Sequence, residues 1–160
     1  MKRFVLSLVL LGLLASAAAA QPTIFIVRHA EKAPSMGRNP DLSKTGRVRA
    51  QSLAKTLRDA GITAMYVTDL KRTQQTAAPL AKALGIKPTI LPPNDTTTLS
   101  ARLRRIRSGN VLVVGHSDTV PKLIKALGLA ASITLKDTDY DNLFVVLLEE
   151  KPRLIRLHYR

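Results

Sequence analysis

Apolar residues along this chain form two kinds of segment, short continuous runs and longer stretches with helical spacing. The run Val111–Val114 lacks polar alternation, which predicts a strand buried on both faces. Val48, Leu53 and Leu57 recur at the spacing of one helix face, and glycines 61, 85 and 128 follow the helical stretches and predict their ends. The pattern predicts strands at about 24–27, 64–67, 88–91, 111–114, 142–148 and 153–157. It predicts helices at about 72–84, 99–107 and 120–127, and a first helix that the segment 42–46 leads into and that runs to about residue 60.

The alternation of strands with helices predicts the fold class. It indicates an α/β domain, a three-layer α/β/α sandwich with a mainly parallel sheet. The last two strands flank the turn residues Glu149 to Pro152 and predict a C-terminal antiparallel hairpin at the sheet edge. Asp41 or Ser43 is the expected cap of the first helix. Without internal repeats or a long linker, residues 21–160 are expected to form one domain.

The first twenty residues have the pattern of a secretory signal peptide. Lys2 and Arg3 form a basic start, Phe4–Leu14 an apolar core and Ala15–Ala20 a run of small residues, so cleavage after Ala20 is expected. The apolar core is shorter than the ~20 residues that span a bilayer, so no membrane anchor is expected after cleavage. The sequence therefore predicts export to a periplasmic or secreted location.

Composition limits the partners of the exported domain. The net charge is +14, or +12 without Lys2 and Arg3, which favours anionic partners such as phosphate esters or acidic polymers. Nucleic acid is not an expected partner, because the chain offers only three Phe, three Tyr and no Trp for base stacking. The chain has no cysteine, so its stability must come from packing without disulfides.

Four residues with phosphate-binding chemistry follow predicted strands. Arg28 and His29 come directly after the first strand, Arg72 follows the second, and His116 follows the strand at 111–114. The carboxyl ends of parallel strands form the ligand edge of α/β sheets. Arginine binds phosphate with two parallel donors, a neutral imidazole is a nucleophile near pH 7, and a second imidazole can stabilise charge on a phosphoryl oxygen. The set indicates phosphoryl transfer.

Three motifs resemble, in order, those of the histidine phosphatase (phosphoglycerate-mutase-like) superfamily. They are Arg-His-x-Glu at 28–31, Arg-x-x-x-Thr-Ala at 72–77 and Gly-His-Ser at 115–117. The resemblance extends from about Thr23 to the C-terminus, with alanine at position 30 where the family usually has glycine.

The resemblance implies roles for five residues of these motifs. His29 would be the nucleophile that becomes phosphohistidine, and Arg28, Arg72 and His116 would form the phosphate pocket. Glu31 would organise the pocket or the first loop, or remain a solvated charge. No cofactor is implied.

Two residues are candidates for the acid that protonates the leaving group. Asp95 lies in the turn after the third strand, and Asp118 lies two residues beyond His116. Asp118 could instead cap the helix that begins at Val120. A metal site is not expected, because His29 and His116 lack a third ligand and the arginines would repel a cation.

The short segment 91–100 leaves no room for a lid that would shield a phosphorylated intermediate from water. The sequence therefore favours a phosphatase for phosphate monoesters, whose substrate would be a small ester, an envelope sugar phosphate or a phosphoprotein. A pseudoenzyme that binds phosphate or anionic glycans, and a phosphotransferase or mutase, are the alternatives.

Overall fold

A computed structural model describes residues 21–35, 37–130 and 132–160 of the chain. The signal peptide and cleavage site expected within residues 1–20 lie outside these ranges. Across the ranges that are described, no helix is long and apolar enough to cross a membrane.

Strands and helices alternate along the described chain, as the sequence predicts. The strands are β1 (Thr23–Arg28), β2 (Ile62–Thr68), β3 (Thr89–Leu91), β4 (Asn110–Gly115), β5 (Asn142–Leu147) and β6 (Arg153–His158). The helices are α1 (Lys44–Leu57), α2 (Lys71–Leu84), α3 (Thr96–Leu103) and α4 (Thr119–Ala126). They surround one sheet of order β3-β2-β4-β1-β5-β6.

The sheet is mainly parallel and ends in an antiparallel hairpin, which confirms the expected class. β1 pairs in parallel with β4, β4 with β2, and β2 with β3. β5 runs antiparallel to β1, and β6 antiparallel to β5. The two central parallel strands, β1 and β4, therefore lie side by side although most of the chain separates them.

Helices cover both faces of the sheet and divide the core into two halves. Leu53 of α1 and Leu80 of α2 pack with Val27 and Leu112 on one face. On the other face, the core contains α3 and α4 residues such as Leu103, Leu123 and Ile124, packed against Ile24, Ile26 and Val113. Residues Val111–Val114 of β4 are buried, so the absence of polar alternation did indicate burial on both faces.

Helices α1 and α3 differ from the sequence prediction by three or more residues at an end, and α1 stops at Leu57 instead of about residue 60. Ser43 caps α1 by accepting the Gly46 N–H, but Val48 is 61% exposed and does not belong to the buried face. Helix α3 covers 96–103 instead of 99–107. The Asp95 carboxylate accepts the Thr98 N–H and starts this helix three residues early, because a capping side chain satisfies an N-terminal donor that apolar spacing cannot reveal.

Gly46 in the first turn of α1 allows a close approach to the loop after β1. A Cβ atom at this position would collide with the carbonyl oxygen of Glu31. That carbonyl accepts the Ser43 N–H at 2.9 Å. The glycine thus lets the helix pack directly against the backbone that follows His29.

Gly46→Ala should therefore destabilise the protein, although alanine favours a helix by up to about 1 kcal/mol over glycine. We expect a loss of about 2 kcal/mol in the free energy of unfolding, as for other overpacked sites, measured by urea denaturation. Val48→Ala, on the exposed face of the same helix, should change stability by no more than about 0.5 kcal/mol. A stabilising Gly46→Ala would contradict this close packing.

Candidate active site

The carboxyl ends of β1, β4 and β2 meet at one edge of the sheet. Arg28 pairs in register with Gly115, and the His29 N–H donates to the Gly115 carbonyl at 2.9 Å. His116 Nε2 lies 3.2 Å from the Thr68 hydroxyl at the end of β2. The pairing brings the two imidazoles together, with ring centroids 5.4 Å apart.

The His29 ring is buried and held in one tautomer. It is 3% exposed, and its Nδ1 lies 2.8 Å from the carbonyl oxygen of Ala30. A carbonyl oxygen only accepts hydrogen bonds, so we assign the ring proton to Nδ1. Nε2 then keeps its lone pair, and the hydrogen bonds of the described chain include none to this atom.

Burial and neighbouring charges keep His29 neutral. Desolvation lowers its pKa from 6.5 to about 3, and the positive charges of Arg72 and Arg28 act in the same direction. The hydrogen bond to Ala30 opposes this shift. The unprotonated ring is the form that can attack phosphorus near neutral pH.

His116 is the second buried imidazole of the site. Desolvation, followed by the charge of Arg72, lowers its pKa to about 4. Its Nδ1 is buried without a hydrogen-bond partner, whereas its Nε2 contacts Thr68. An unpaired buried nitrogen is uncommon in a folded protein and marks a position where a ligand atom would be accommodated.

Two arginines face the histidines. Arg28 is 3% exposed, and Arg72 at the start of α2 is half-buried. Burial and the charge of Arg28 lower the pKa of Arg72, so the two guanidinium groups repel one another across the site. The Nε of each arginine is buried without a partner.

The unpaired polar atoms indicate which kind of ligand could bind at this edge of the sheet. Among the described residues, five buried side-chain nitrogen or oxygen atoms lack a partner, and three of them belong to Arg28, Arg72 and His116. Two positive charges and the unpaired N–H groups of two arginines suit a tetrahedral anion such as phosphate. The structure therefore brings together Arg28, His29, Arg72 and His116, as the sequence predicts.

Ala30 fits the site without strain. The residue is fully buried, and no described residue other than glycine has a positive φ. Its N–H donates to the Thr76 hydroxyl at 2.9 Å, and this hydroxyl donates to the Arg72 carbonyl at 2.7 Å. Thr76 thereby connects the backbone after His29 to the helix that carries Arg72.

Glu31 forms its ion pair with Arg49 of α1 and not with Arg28 or Arg72. Its carboxylate accepts two bonds from Arg49 Nε, at 2.8 and 2.9 Å, and pairs with Nη2 of the same arginine at 2.7 Å. A carboxylate only accepts hydrogen bonds, and the charge of Glu31 is neutralised by Arg49. This contact orders the first loop.

The two candidate acids have different environments. Asp95 caps α3 through its bond to Thr98 at 3.1 Å. Asp118 precedes α4 without a side-chain capping bond and lies 3.5 Å from Lys122 in an exposed pair.

Only one of these two carboxylates acts on the buried groups. The charge of Asp118 raises the pKa of both His116 and Arg72. The charge of Asp69, which follows β2, acts on the same two residues. Asp95 has no such effect on either group.

Several residues of the site were not singled out from the sequence. Thr76 is the threonine of the Arg-x-x-x-Thr-Ala motif, for which the sequence predicts no separate role. Thr68 and Asp69 lie at the end of β2, and the strand-end position of Asp69 is a usable signal. Tyr140 was not recognisable, because it comes from the loop before β5. Its ring lies 4.3 Å from the Arg28 guanidinium carbon and 6.1 Å from the His29 ring centroid.

Within the described ranges, no group of three or more histidine, aspartate or glutamate residues is arranged to hold a metal ion.

Comparisons with known proteins give relatives in sequence and in fold. Residues 24–93 match the sequence profile of the histidine phosphatase superfamily, branch 1. No curated protein sequence matches the chain significantly. Among solved structures, the protein histidine phosphatase SixA, complexed with tungstate, is 21% identical, with a TM-score of 0.72 over 85% of this chain and 96% of that chain.

Two further structures share the fold. A protein of Agrobacterium tumefaciens with a proposed SixA phosphohistidine phosphatase activity is 20% identical, with a TM-score of 0.63 over 84% of this chain and 97% of that chain. A protein of Escherichia coli K-12 proposed to be an alpha-ribazole-5'-P phosphatase is 16% identical, with a TM-score of 0.71 over 86% and 96%.

The profile match over residues 24–93 and the shared fold support the assignment of this chain to the histidine phosphatase superfamily. The same similarities support a phosphatase, and hence a hydrolase. The profile match ends before His116, and the parallel pairing of β1 with β4 places that second histidine beside the first.

The buried histidines predict a pH-dependent stability for the protein without a bound anion. Because the folded pKa values of about 3 and about 4 lie below the ordinary 6.5, the unfolded chain takes up protons first as the pH falls. The free energy of unfolding should decrease below about pH 6.5, by at most about 1.4 kcal/mol per pH unit for each histidine. Urea unfolding at pH 7.5, 6.5 and 5.5 measures this slope.

A His29→Gln variant isolates the contribution of one ring. It should show a smaller loss of stability than the native protein between pH 6.5 and 5.5, because one titrating group is gone. Equal slopes for the two proteins would contradict the lowered pKa of His29.

Proposed function

We propose that the protein is an exported phosphatase that hydrolyses phosphate monoesters through a phosphohistidine at His29. The hydrogen bond from Nδ1–H of His29 to the Ala30 carbonyl carries this proposal, because it leaves Nε2 as the nucleophile. The unpaired Nε atoms of Arg28 and Arg72 support it as donors to the peripheral phosphoryl oxygens.

The reaction has two steps. His29 Nε2 attacks phosphorus, the bond from phosphorus to the leaving oxygen breaks, and an acid protonates that oxygen. Water then attacks the phosphohistidine and gives a proton to the carboxylate that the acid left behind, the N–P bond breaks, and inorganic phosphate leaves with His29 neutral again. Positioning and charge stabilisation provide most of the catalysis in such transfers, and both arginines are always charged.

His116 supports the charge that develops on the phosphoryl group. An approaching phosphate dianion favours the protonated imidazole and so raises the pKa of His116. The unpaired Nδ1 can then donate to a phosphoryl oxygen as the bond to the leaving group breaks.

We assign the proton donor to Asp118 rather than Asp95. The charge of Asp118 acts on His116 and Arg72, which supports a position near the reacting atoms. The Asp95 carboxylate is engaged by the Thr98 N–H as the cap of α3, which gives it a structural role.

His29→Ala should abolish both turnover and acid-labile, base-stable phosphate on the protein. The test incubates the purified protein with a ³²P-labelled phosphate monoester and measures released phosphate and protein-bound label. Turnover by the native protein without any trapped label, together with an active His29→Ala variant, would exclude the phosphohistidine route. Label without release would identify a phosphotransferase, and neither label nor turnover in a folded protein would identify an anion-binding pseudoenzyme.

Asp118→Asn should lower kcat about 100-fold for an alkyl phosphate, the usual size of an acid-catalysis term. For 4-nitrophenyl phosphate the loss should be much smaller, because the nitrophenolate departs without a proton. The matched variant Asp95→Asn should retain kcat for both esters and lose up to about 1 kcal/mol of stability as its helix cap weakens. The reverse pattern would assign the acid to Asp95.

The proposed substrates are a small ester, an envelope sugar phosphate or a phosphoprotein. The structural similarity to a protein histidine phosphatase makes a phosphohistidine peptide the first phosphoprotein substrate to compare with a sugar phosphate. The proposed export rests on the signal pattern of residues 1–20. Cell fractionation of the full-length protein and N-terminal sequencing of the product test the cleavage expected after Ala20.

A further inference from the structure

The loop between α4 and β5 lies against the Arg28 guanidinium. The carbonyl oxygen of Lys136 accepts from Arg28 Nη1 at 2.7 Å. The Asp137 carboxylate lies 3.5 Å from Nη2, and the Tyr140 ring lies 4.3 Å from the guanidinium carbon. We call residues 136–140 the strap.

Hydrogen bonds within the strap give it a defined shape. The Lys136 N–H donates to the Asp139 carboxylate at 2.9 Å, and the Asp139 N–H donates to the Lys136 carbonyl at 3.0 Å. β5 begins at Asn142 and pairs with β1, the strand that ends at Arg28. Strap and arginine are therefore fixed to adjacent strands.

The three nitrogen atoms of the Arg28 guanidinium differ in their contacts. Nη1 is engaged by a short bond to a backbone carbonyl, and Nε is buried without a partner. Nη2 has only a long contact with Asp137, whose side chain is fully exposed. Because the carboxylate is solvated and 3.5 Å from the buried guanidinium, an incoming phosphate can displace it and bind to Nε and Nη2 as a pair of parallel donors.

Tyr140 fixes the plane of the same guanidinium. A ring 4.3 Å from the guanidinium carbon makes a cation–π contact. The ring also lies beside His29, with centroids 6.1 Å apart. Arg28 is thus held between its backbone anchor and an aromatic face.

We propose that the strap controls phosphate binding at Arg28. Tyr140 is a positioning residue that orients the guanidinium, and the Asp137 carboxylate occupies the place of a phosphate oxygen on Nη2 until substrate displaces it. This inference rests on the proposed function, because it assigns Arg28 to the phosphate pocket.

The two side chains should have opposite effects on anion affinity. Asp137→Asn should tighten binding of inorganic phosphate and tungstate about five-fold and lower KM for 4-nitrophenyl phosphate similarly, with kcat changed less than two-fold, because a competing charge is removed. Tyr140→Ala should weaken binding of both anions about ten-fold, whereas Tyr140→Phe, which keeps the ring, should bind like the native protein.

Isothermal titration calorimetry with inorganic phosphate and with tungstate measures affinity without depending on turnover. Asp59→Asn is the matched charge control, because Asp59 is 88% exposed and pairs with Arg58. This control should change affinity by less than about two-fold. Thermal unfolding of each variant verifies that it is folded.

Each outcome decides the inference. Unchanged or weaker binding by Asp137→Asn, or an effect no larger than that of Asp59→Asn, overturns the competition by Asp137. Native-like binding by a folded Tyr140→Ala variant, or a loss shared by Tyr140→Phe, overturns the positioning role of the ring. Absence of anion binding by the native protein overturns the whole inference. The proposed function fails separately, when anions bind as described but no ester is hydrolysed.

Discussion

The parallel pairing of β1 with β4 is the constraint on which the site depends. The register sets Arg28 opposite Gly115, and one backbone bond from His29 to Gly115 extends the ladder past the end of the strand. Because both strands are buried on both faces, neither can slip without exposing its apolar residues. The distance between His29 and His116 is thus determined by the packing of the core.

The site concentrates positive charge where solvent is largely excluded. Burial keeps both histidines neutral, while Arg28 and Arg72 stay charged and repel one another. Unpaired buried donors and like charges both destabilise a fold. Under the proposed function, a bound phosphate would satisfy these donors and neutralise the charge, so the groups that destabilise the fold would also be those that bind the ligand.

The alternation of elements could be predicted from sequence, and so could four residues of the site, because each lies directly beyond an apolar run or within a short motif. Features that depend on tertiary contacts could not be predicted from the sequence. Val48 has the helical spacing of a core residue but faces solvent. Asp95 stands in a segment that resembles a turn, yet its side chain begins α3.

By itself, the sequence determined the α/β class and the residues at the strand ends, since hydrophobic periodicity and strand termini are local properties of the chain. The tertiary structure alone decided what each of these residues touches. Arg49 neutralises Glu31, and Tyr140 reaches Arg28 from a loop 112 positions further along the chain. Such partners are far apart in sequence, and only the strand order brings them together.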